Sequence, residues 1–150
     1  MSTTKEQLYL LCAEYINNRE AAIRKTIEEA RDAANNETKS SAGDKYETGR
    51  ETMQQEIDLN LTRLNELNKL KQTLERIIPA MKSDVIVPGS VVYTNNGNYY
   101  IAISAGVLKI DGVSYYAISA ESPIGLMLVS KRKGDAFKFN GKDYTIERIK

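Results

Sequence analysis

Hydrophobic positions follow two different patterns along the chain, and the change comes just past its middle. Before residue 83, apolar side chains recur every three or four residues, the spacing of one helix face. After residue 83, apolar and aromatic residues form short runs separated by glycine-containing turns. We therefore predict an α+β protein with a helical part over residues 1–83 and a β domain over residues 84–150.

The helical part is predicted to contain two long helices. The first spans about residues 4–36, with these apolar residues on one face: Ile16, Ile23, Ile27, Ala30 and Ala34. The second starts near Asp44 and carries a coiled-coil ladder of apolar residues: Met53, Ile57, Leu64, Leu67, Leu74, Ile78 and Met81. Asn60 and Lys71 are polar positions on that ladder. Because residues 37–43 form a short polar connection, the helices are expected to fold back as an antiparallel hairpin.

The β domain is predicted to contain short strands at residues 90–93, 99–104, 107–110, 114–118, 136–139 and 143–149. Asn-Gly and Asp-Gly pairs, which tolerate the backbone of tight hairpins, lie between several of these runs. Ser122 and Pro123 are suited to the cap and first position of a short helix. The expected architecture is a small antiparallel sheet with one short helix.

Composition excludes several kinds of chemistry. The chain of 150 residues contains no histidine, which rules out His-based acid and base catalysis, His-activated nucleophiles and imidazole zinc sites. Its single cysteine, Cys12, lies in a helical run of apolar residues and is interpreted as a small buried hydrophobe. The formal net charge is +1, so any electrostatic argument must be local. No apolar run approaches a membrane span or secretory signal, and a cytoplasmic protein without membrane contact is expected.

Asp44 and Glu47 are the candidate chemical groups. They lie three residues apart at the start of the second predicted helix, so they share a face and are suited to one hard cation such as Mg²⁺. The alternative is structural, because an Asp cap with Glu at the third helical position forms a capping box worth about 1 kcal/mol. Spacing alone leaves both interpretations open.

Basic residues offer a second candidate. Arginines and lysines of the first half are interspersed with acids, which is typical of a mixed solvated surface. Lys131, Arg132 and Lys133 form a compact cluster before the turn at Gly134 and Asp135. Such a cluster is either a solvated turn or a site that binds phosphate or a polymer.

Two segments carry a resemblance to a known family. They are Gly43-Asp44-Lys45-Tyr46-Glu47 at the expected hairpin tip, and the stretch from Ile118 to Lys131 that contains Ser122-Pro123-Ile124-Gly125 and precedes Gly134-Asp135. In this order and over nearly the whole chain, the sequence resembles the Gre transcript cleavage factors, the GreA and GreB elongation factors of bacteria. The resemblance implies a coiled-coil hairpin with an acidic tip near residues 37–47, followed by an FKBP-like C-terminal domain.

The resemblance also implies a function. A Gre factor binds RNA polymerase at its secondary channel and stimulates cleavage of backtracked RNA by the polymerase itself, so it is not an enzyme alone. Asp44 and Glu47 would help to hold a Mg²⁺ shared with the polymerase near the nascent RNA 3′ end, and no cofactor would be bound tightly. The partner-binding residues implied by the C-terminal signature are Ser122, Pro123, Ile124, Gly125 and Lys131.

Two alternatives come from different classes. The first is a Gre-like channel regulator or inhibitor of transcription without cleavage activity. Gly49, inside the second predicted helix, is relevant to this regulator alternative. Glycine at this position lowers helix stability by about 1 kcal/mol relative to alanine and is expected to loosen the tip. The second is prolyl isomerisation by the FKBP-like domain, for which the sequence offers no convincing constellation. A monomer is expected, with a dimer formed through exposed seam residues as the other arrangement.

Overall fold

Two long helices form the first half of the chain, as the spacing of apolar residues predicts. The structure is a computed structural model that describes residues 3–39 and 43–150, with side chains described outside residues 36–48. Helix α1 is Thr4–Lys39 and helix α2 is Gly43–Glu75. The chain divides into two compact units, one of residues 16–70 and one of residues 1–15 with 71–150.

The unit of residues 16–70 contains the packed parts of α1 and α2. Ile27 and Ala30 of α1 form a buried cluster with Ile57 of α2, and Ile23 packs against it. These residues lie at similar separations on either side of the connection between the helices, so the two helices run antiparallel. The predicted hairpin is confirmed.

Asn60 is the polar exception in this unit. It is only 4% exposed, and its side-chain amide donates to the Glu56 carbonyl at 2.9 Å, one turn earlier in α2. Because this partner belongs to α2 itself, the amide keeps a hydrogen bond in any register of α2 against α1, and the bond offsets part of the cost of burying the amide.

The ladder predicted for the second helix is wrong at its C-terminal end. Ile78 and Met81 are 59% and 54% exposed, because α2 ends at Glu75 and the chain then turns before Pro79. Proline disfavours helical backbone in the residue that precedes it, so the periodicity cannot continue to this point. Ile77, which is out of phase with the predicted ladder, is the buried residue here.

Six strands and one short helix form most of the other unit. They are β1 (Val91–Thr94), β2 (Gly97–Ala102), β3 (Gly106–Ile110), β4 (Val113–Ser119), α3 (Pro123–Leu128), β5 (Ala136–Phe139) and β6 (Lys142–Ile149). Each lies within two residues of its predicted bounds. The β3–β4 and β5–β6 turns place Asp111-Gly112 and Asn140-Gly141 at positive φ, as expected for tight hairpins.

The sheet has the strand order β3-β4-β2-β1-β6-β5. All its neighbours are antiparallel except β2 and β4, which pair in parallel from Tyr99 with Tyr116 to Ala102 with Ser119. The predicted small antiparallel sheet with one short helix is confirmed, and among the described strands β2 and β4 are its one parallel pair. The β3–β4 hairpin folds back so that β4 lies beside β2, and the chain reverses direction twice between β2 and β4, so these two strands run in the same direction.

Both faces of the central strands are buried. On one face, Val92 and Ile101 belong to a core with these residues: Ile86, Tyr99, Leu128, Tyr144 and Ile146. On the other face, Val91 and Tyr100 are completely buried. Cys12, in the part of α1 that belongs to this unit, is also completely buried, and burial raises the pKa of its thiol to about 12. The interpretation of Cys12 as a buried hydrophobe is confirmed.

Tyr100 carries the one buried side-chain polar atom without a hydrogen-bond partner among the described residues, its hydroxyl oxygen. Burial, followed by the nearby Cys12 and Tyr9, raises the pKa of Tyr100 well above its usual range. A buried hydroxyl without a partner costs about 1–3 kcal/mol, because its bonds to water are lost and not replaced.

We expect Tyr100→Phe to raise the free energy of unfolding by about 1 kcal/mol, since it removes the unpaired hydroxyl and keeps the ring. The measurement is urea unfolding followed by circular dichroism. Tyr115→Phe is the matched control, because the Tyr115 hydroxyl lies 3.3 Å from that of Tyr93 and its removal breaks a hydrogen bond. Equal gains in both variants would contradict the assignment of the unpaired group to Tyr100.

Candidate functional site

The segment that carries the C-terminal signature forms α3 and the turns around it. Ser122 caps α3, since its hydroxyl accepts the Gly125 N–H at 3.1 Å and donates to the Ser119 carbonyl at 2.7 Å. Pro123 occupies the first helical position and is exposed. The predicted cap and proline are confirmed, and both hydrogen bonds of the Ser122 hydroxyl lie within the segment.

Gly125 is required by close packing. A Cβ atom at this position would lie 2.1 Å from the Ser119 carbonyl oxygen and 2.8 Å from the Ser122 hydroxyl. No real Cβ atom tolerates such a distance, and the obstacle is backbone that is itself held by the cap. Gly125 is also buried. It shapes α3 from within and presents no side chain to a partner.

Ile124 and Lys131 lie on either side of this segment. Ile124 is half-buried and packs against the core beneath the sheet. The Lys131 ammonium lies 5.4 Å from the centre of the Phe137 ring, within the range of a cation–π contact. The Lys131 carbonyl accepts the Ile86 N–H at 2.9 Å, so the residue ties the end of this segment to the chain before β1.

Leu126 is a candidate contact residue that sequence reasoning missed. It is 67% exposed on α3, which is unusual for a leucine beside the buried Gly125 and Leu128. The run from Ile124 to Val129 contains no polar residue. The sequence therefore does not indicate which side of this short helix is buried and which is exposed. With Pro123, Leu126 forms what we call the α3 outer face, defined by these two exposed residues.

Asp44 and Glu47 belong to the first turns of α2, at the hairpin end of that helix. Their side chains lie outside the described residues, so the choice between metal ligand and capping box stays a prediction. Among the side chains that are described, no group of three or more His, Cys, Asp or Glu residues is arranged to hold a metal ion. No helix within the described residues has the length and apolarity needed to cross a membrane.

The chain has a measurable likeness to a known structure. No protein-family model matches the chain, and no curated protein matches its sequence. A solved structure of the transcription factor Gfh1 is similar to it over 91% of this chain and 91% of that chain. The sequence identity is 21% and the TM-score is 0.35.

We expect Gly125→Ala to lower the free energy of unfolding by about 1–3 kcal/mol or more, because the added methyl forces the Ser119 carbonyl away from the cap. Leu126→Ala is the matched control, since it removes atoms from an exposed side chain of the same helix and should change stability by less than about 0.5 kcal/mol. Both are measured by urea unfolding. Equal stability of the two variants would show that Gly125 is not needed for close packing.

Proposed function

We propose that this protein is a transcription elongation factor of the Gre type. It binds RNA polymerase through the secondary channel and stimulates cleavage of backtracked RNA by the polymerase active site. It is not an enzyme by itself in this proposal, because the catalytic centre belongs to the polymerase. The proposal combines the motifs of the tip and of the C-terminal segment with the antiparallel hairpin.

The hairpin is the observation that carries the proposal. Packing of Ile27 and Ala30 against Ile57 holds α1 and α2 side by side, so the start of α2 lies at the hairpin end. Between Ile27 and Lys39, α1 continues for 12 residues, a rise of about 18 Å at 1.5 Å per residue. A pair of helices is narrow, so residues at its end can reach places that a globular surface cannot enter. Asp44 and Glu47 are acidic residues at this end, and Glu37 lies near the end of α1.

Two carboxylates account for only part of a metal site. Mg²⁺ requires near-octahedral oxygen coordination, so Asp44 and Glu47 alone would bind it weakly and the polymerase and water must complete the shell. When bound in this shared site, Mg²⁺ supplies positive charge at the scissile phosphate and lowers the pKa of a bound water. The task of the two carboxylates is to hold this site in position and to orient the attacking water. A factor of this kind needs no catalytic residues of its own beyond the tip.

The α3 outer face is the proposed polymerase contact of the unit that contains the sheet, residues 1–15 with 71–150. Pro123 and Leu126 are exposed apolar residues on a short helix whose backbone is held by the Ser122 cap and by Gly125. A rigid exposed leucine is suited to an interface core, because little conformational entropy is lost when it is buried. Ser122 and Gly125 then support the contact, and Pro123 and Leu126 make it.

The second candidate is a regulator that enters the same channel without stimulating cleavage. Gly49 lies inside α2 shortly after the tip acids, and glycine in a helix interior costs about 0.5–1 kcal/mol relative to alanine. A less stable first part of α2 would hold the two carboxylates less firmly. Cleavage measurements separate the two candidates.

We expect the wild-type protein to accelerate cleavage of 3′-end-labelled RNA in a stalled, backtracked complex of its cognate polymerase. Asp44→Asn/Glu47→Gln should reduce this acceleration by at least about tenfold, because the shared Mg²⁺ loses two ligands. Raised Mg²⁺ should restore part of it. Glu56→Gln/Glu66→Gln, which removes two exposed acids from the same helix, is the control and should leave cleavage unchanged. Polymerase binding without cleavage by the wild type would support the regulator instead.

We expect Leu126→Ser to weaken binding to RNA polymerase by about tenfold, the loss expected when an exposed leucine contributes about 1–2 kcal/mol to an interface. The measurement is competition against labelled wild-type protein for the polymerase. Val107→Ser is the control, since Val107 is a 52% exposed apolar residue on β3 of the same sheet. If the two variants bind equally well, the α3 outer face is not the contact.

A further inference from the structure

Two adjoining clefts in the unit of residues 1–15 and 71–150 gather basic side chains from distant parts of the chain. The larger cleft, of about 720 Å³, is lined by Lys5, Lys82, Arg148 and Lys150 among its residues. The smaller, of about 410 Å³, is lined by Arg132, Lys133 and Arg148. Ser83, Asp84, Arg148 and Ile149 line both. We call these two cavities the basic clefts.

Charge in the basic clefts is not balanced. Six basic side chains face two acidic ones, Glu6 and Asp84, a surplus of four positive charges in a chain of net charge +1. Within the described residues, none of the six forms an ion pair with a carboxylate. One of the two acids is engaged, since the Glu6 carboxylate accepts the Thr3 N–H at 3.2 Å. The surplus is therefore available to a ligand.

Backbone pairing holds the two basic segments in place. The Ile86 N–H donates to the Lys131 carbonyl at 2.9 Å, and the Ser130 N–H donates to the Ile86 carbonyl at 2.8 Å. An antiparallel bridge between Val85 and Arg132 extends this pairing. It brings the turn that contains Arg132 and Lys133 beside Ser83 and Asp84.

The turn itself is closed by Asp135. Its carboxylate accepts the Arg132 N–H at 2.8 Å, and within the described residues it forms no ion pair with the arginine side chain. Basic side chains on an ordered backbone lose less entropy on binding an anion than those of a mobile loop.

Arg148 is positioned for anion binding. It lies in β6 opposite Tyr93 of β1, and its guanidinium carbon is 5.3 Å from the centre of the Tyr93 ring. Lys150 lies over the same ring, with its ammonium at 5.5 Å from the centre. Stacking on an aromatic face restricts a guanidinium and leaves its planar set of donors available to a phosphate or carboxylate. Since Arg148 lines both cavities, it links them into one site.

Lys5 shows the electrostatic consequence. Burial, followed by repulsion from Lys82, lowers the pKa of Lys5. Its ammonium donates to the Met81 carbonyl, which carries no full charge that would offset Lys82. A bound anion would relieve both the desolvation and the repulsion of these like charges.

We propose that the basic clefts bind linked phosphate groups. A terminal phosphate carries about −1.5 to −2 at neutral pH and a bridging phosphate about −1, so one tripolyphosphate or about four phosphodiester groups match a surplus of four charges. The volume of the larger cleft lies in the range of sites for small ligands, about 300–1,000 Å³. The phosphates belong either to a free polyphosphate ligand or to a nucleic-acid backbone. This site is separate from the tip acids and does not depend on the proposed elongation function.

The test measures binding of inorganic tripolyphosphate to the full chain by isothermal titration calorimetry at pH about 7.5 and about 50 mM salt. We expect Arg148→Gln and Arg132→Gln/Lys133→Gln each to weaken binding by at least about tenfold. Lys109→Gln/Lys138→Gln is the matched control, because it removes two exposed lysines of the same sheet outside the basic clefts, and it should change the affinity by less than about twofold. Arg148→Lys keeps the charge and should fall between wild type and Arg148→Gln.

A second arm identifies the source of the phosphates. A labelled oligouridylate of about 12 nucleotides is titrated at several salt concentrations, and each cation that contacts the backbone contributes about 0.7 to the slope of log K against log salt. A slope that becomes shallower in the cleft variants and not in the control indicates that the phosphates belong to a nucleic-acid backbone. Tight tripolyphosphate binding with weak, variant-independent RNA binding indicates a free polyphosphate. Either result supports the proposal.

Three outcomes overturn it. The first is that the wild-type protein binds neither probe at low salt. The second is that cleft and control variants weaken binding equally, which would indicate general attraction to positive charge. The third is that a polyglutamate peptide of equal charge binds as tightly and responds to the same variants. Thermal unfolding of each variant checks the fold, and the Arg132/Lys133 pair keeps the test valid if Arg148→Gln is unstable, since both residues are exposed on a turn.

Discussion

The six-stranded sheet depends on the burial of both faces of its central strands, β1 and β2. Val92 and Ile101 pack into the core on one face, and Val91 and Tyr100 are completely buried on the other. Strands covered on both sides cannot shift register by one residue without exchanging every buried side chain with its neighbour on the opposite face. This constraint keeps β6 beside β1, and thereby places Arg148 and Lys150 over Tyr93.

Two side chains with polar atoms, Tyr100 and Cys12, are buried by this packing at a cost in stability or reactivity. The Tyr100 hydroxyl is buried without a hydrogen bond, and Cys12 is buried so fully that its thiol is a poor nucleophile at neutral pH. In both cases the apolar body of the side chain fills space beneath the sheet. The cost of one unpaired hydroxyl is smaller than the loss of a large ring from a dense core, which is about 3–5 kcal/mol.

The short helix α3 shows how a sequence motif combines structural and functional constraints. Ser122 and Gly125 are needed for the cap and for close approach to the Ser119 carbonyl. Pro123 and Leu126 are exposed and are not needed for either. A motif that is compared only as a string of letters does not separate these roles, whereas the distances around each residue do.

The sequence by itself determined the features that depend on neighbours along the chain. The three and four residue spacing predicted both helices and the seam residues Ile27 and Ile57, and Ser122-Pro123 predicted the start of α3. Only the tertiary structure decided the parallel pairing of β2 with β4, the exposure of Leu126, and the convergence of Lys5, Arg132 and Arg148. Helix faces and helix caps depend on residues only a few positions apart, so the sequence predicts them. Strand order and the grouping of cations more than 100 residues apart arise from long-range pairing, which no local pattern encodes.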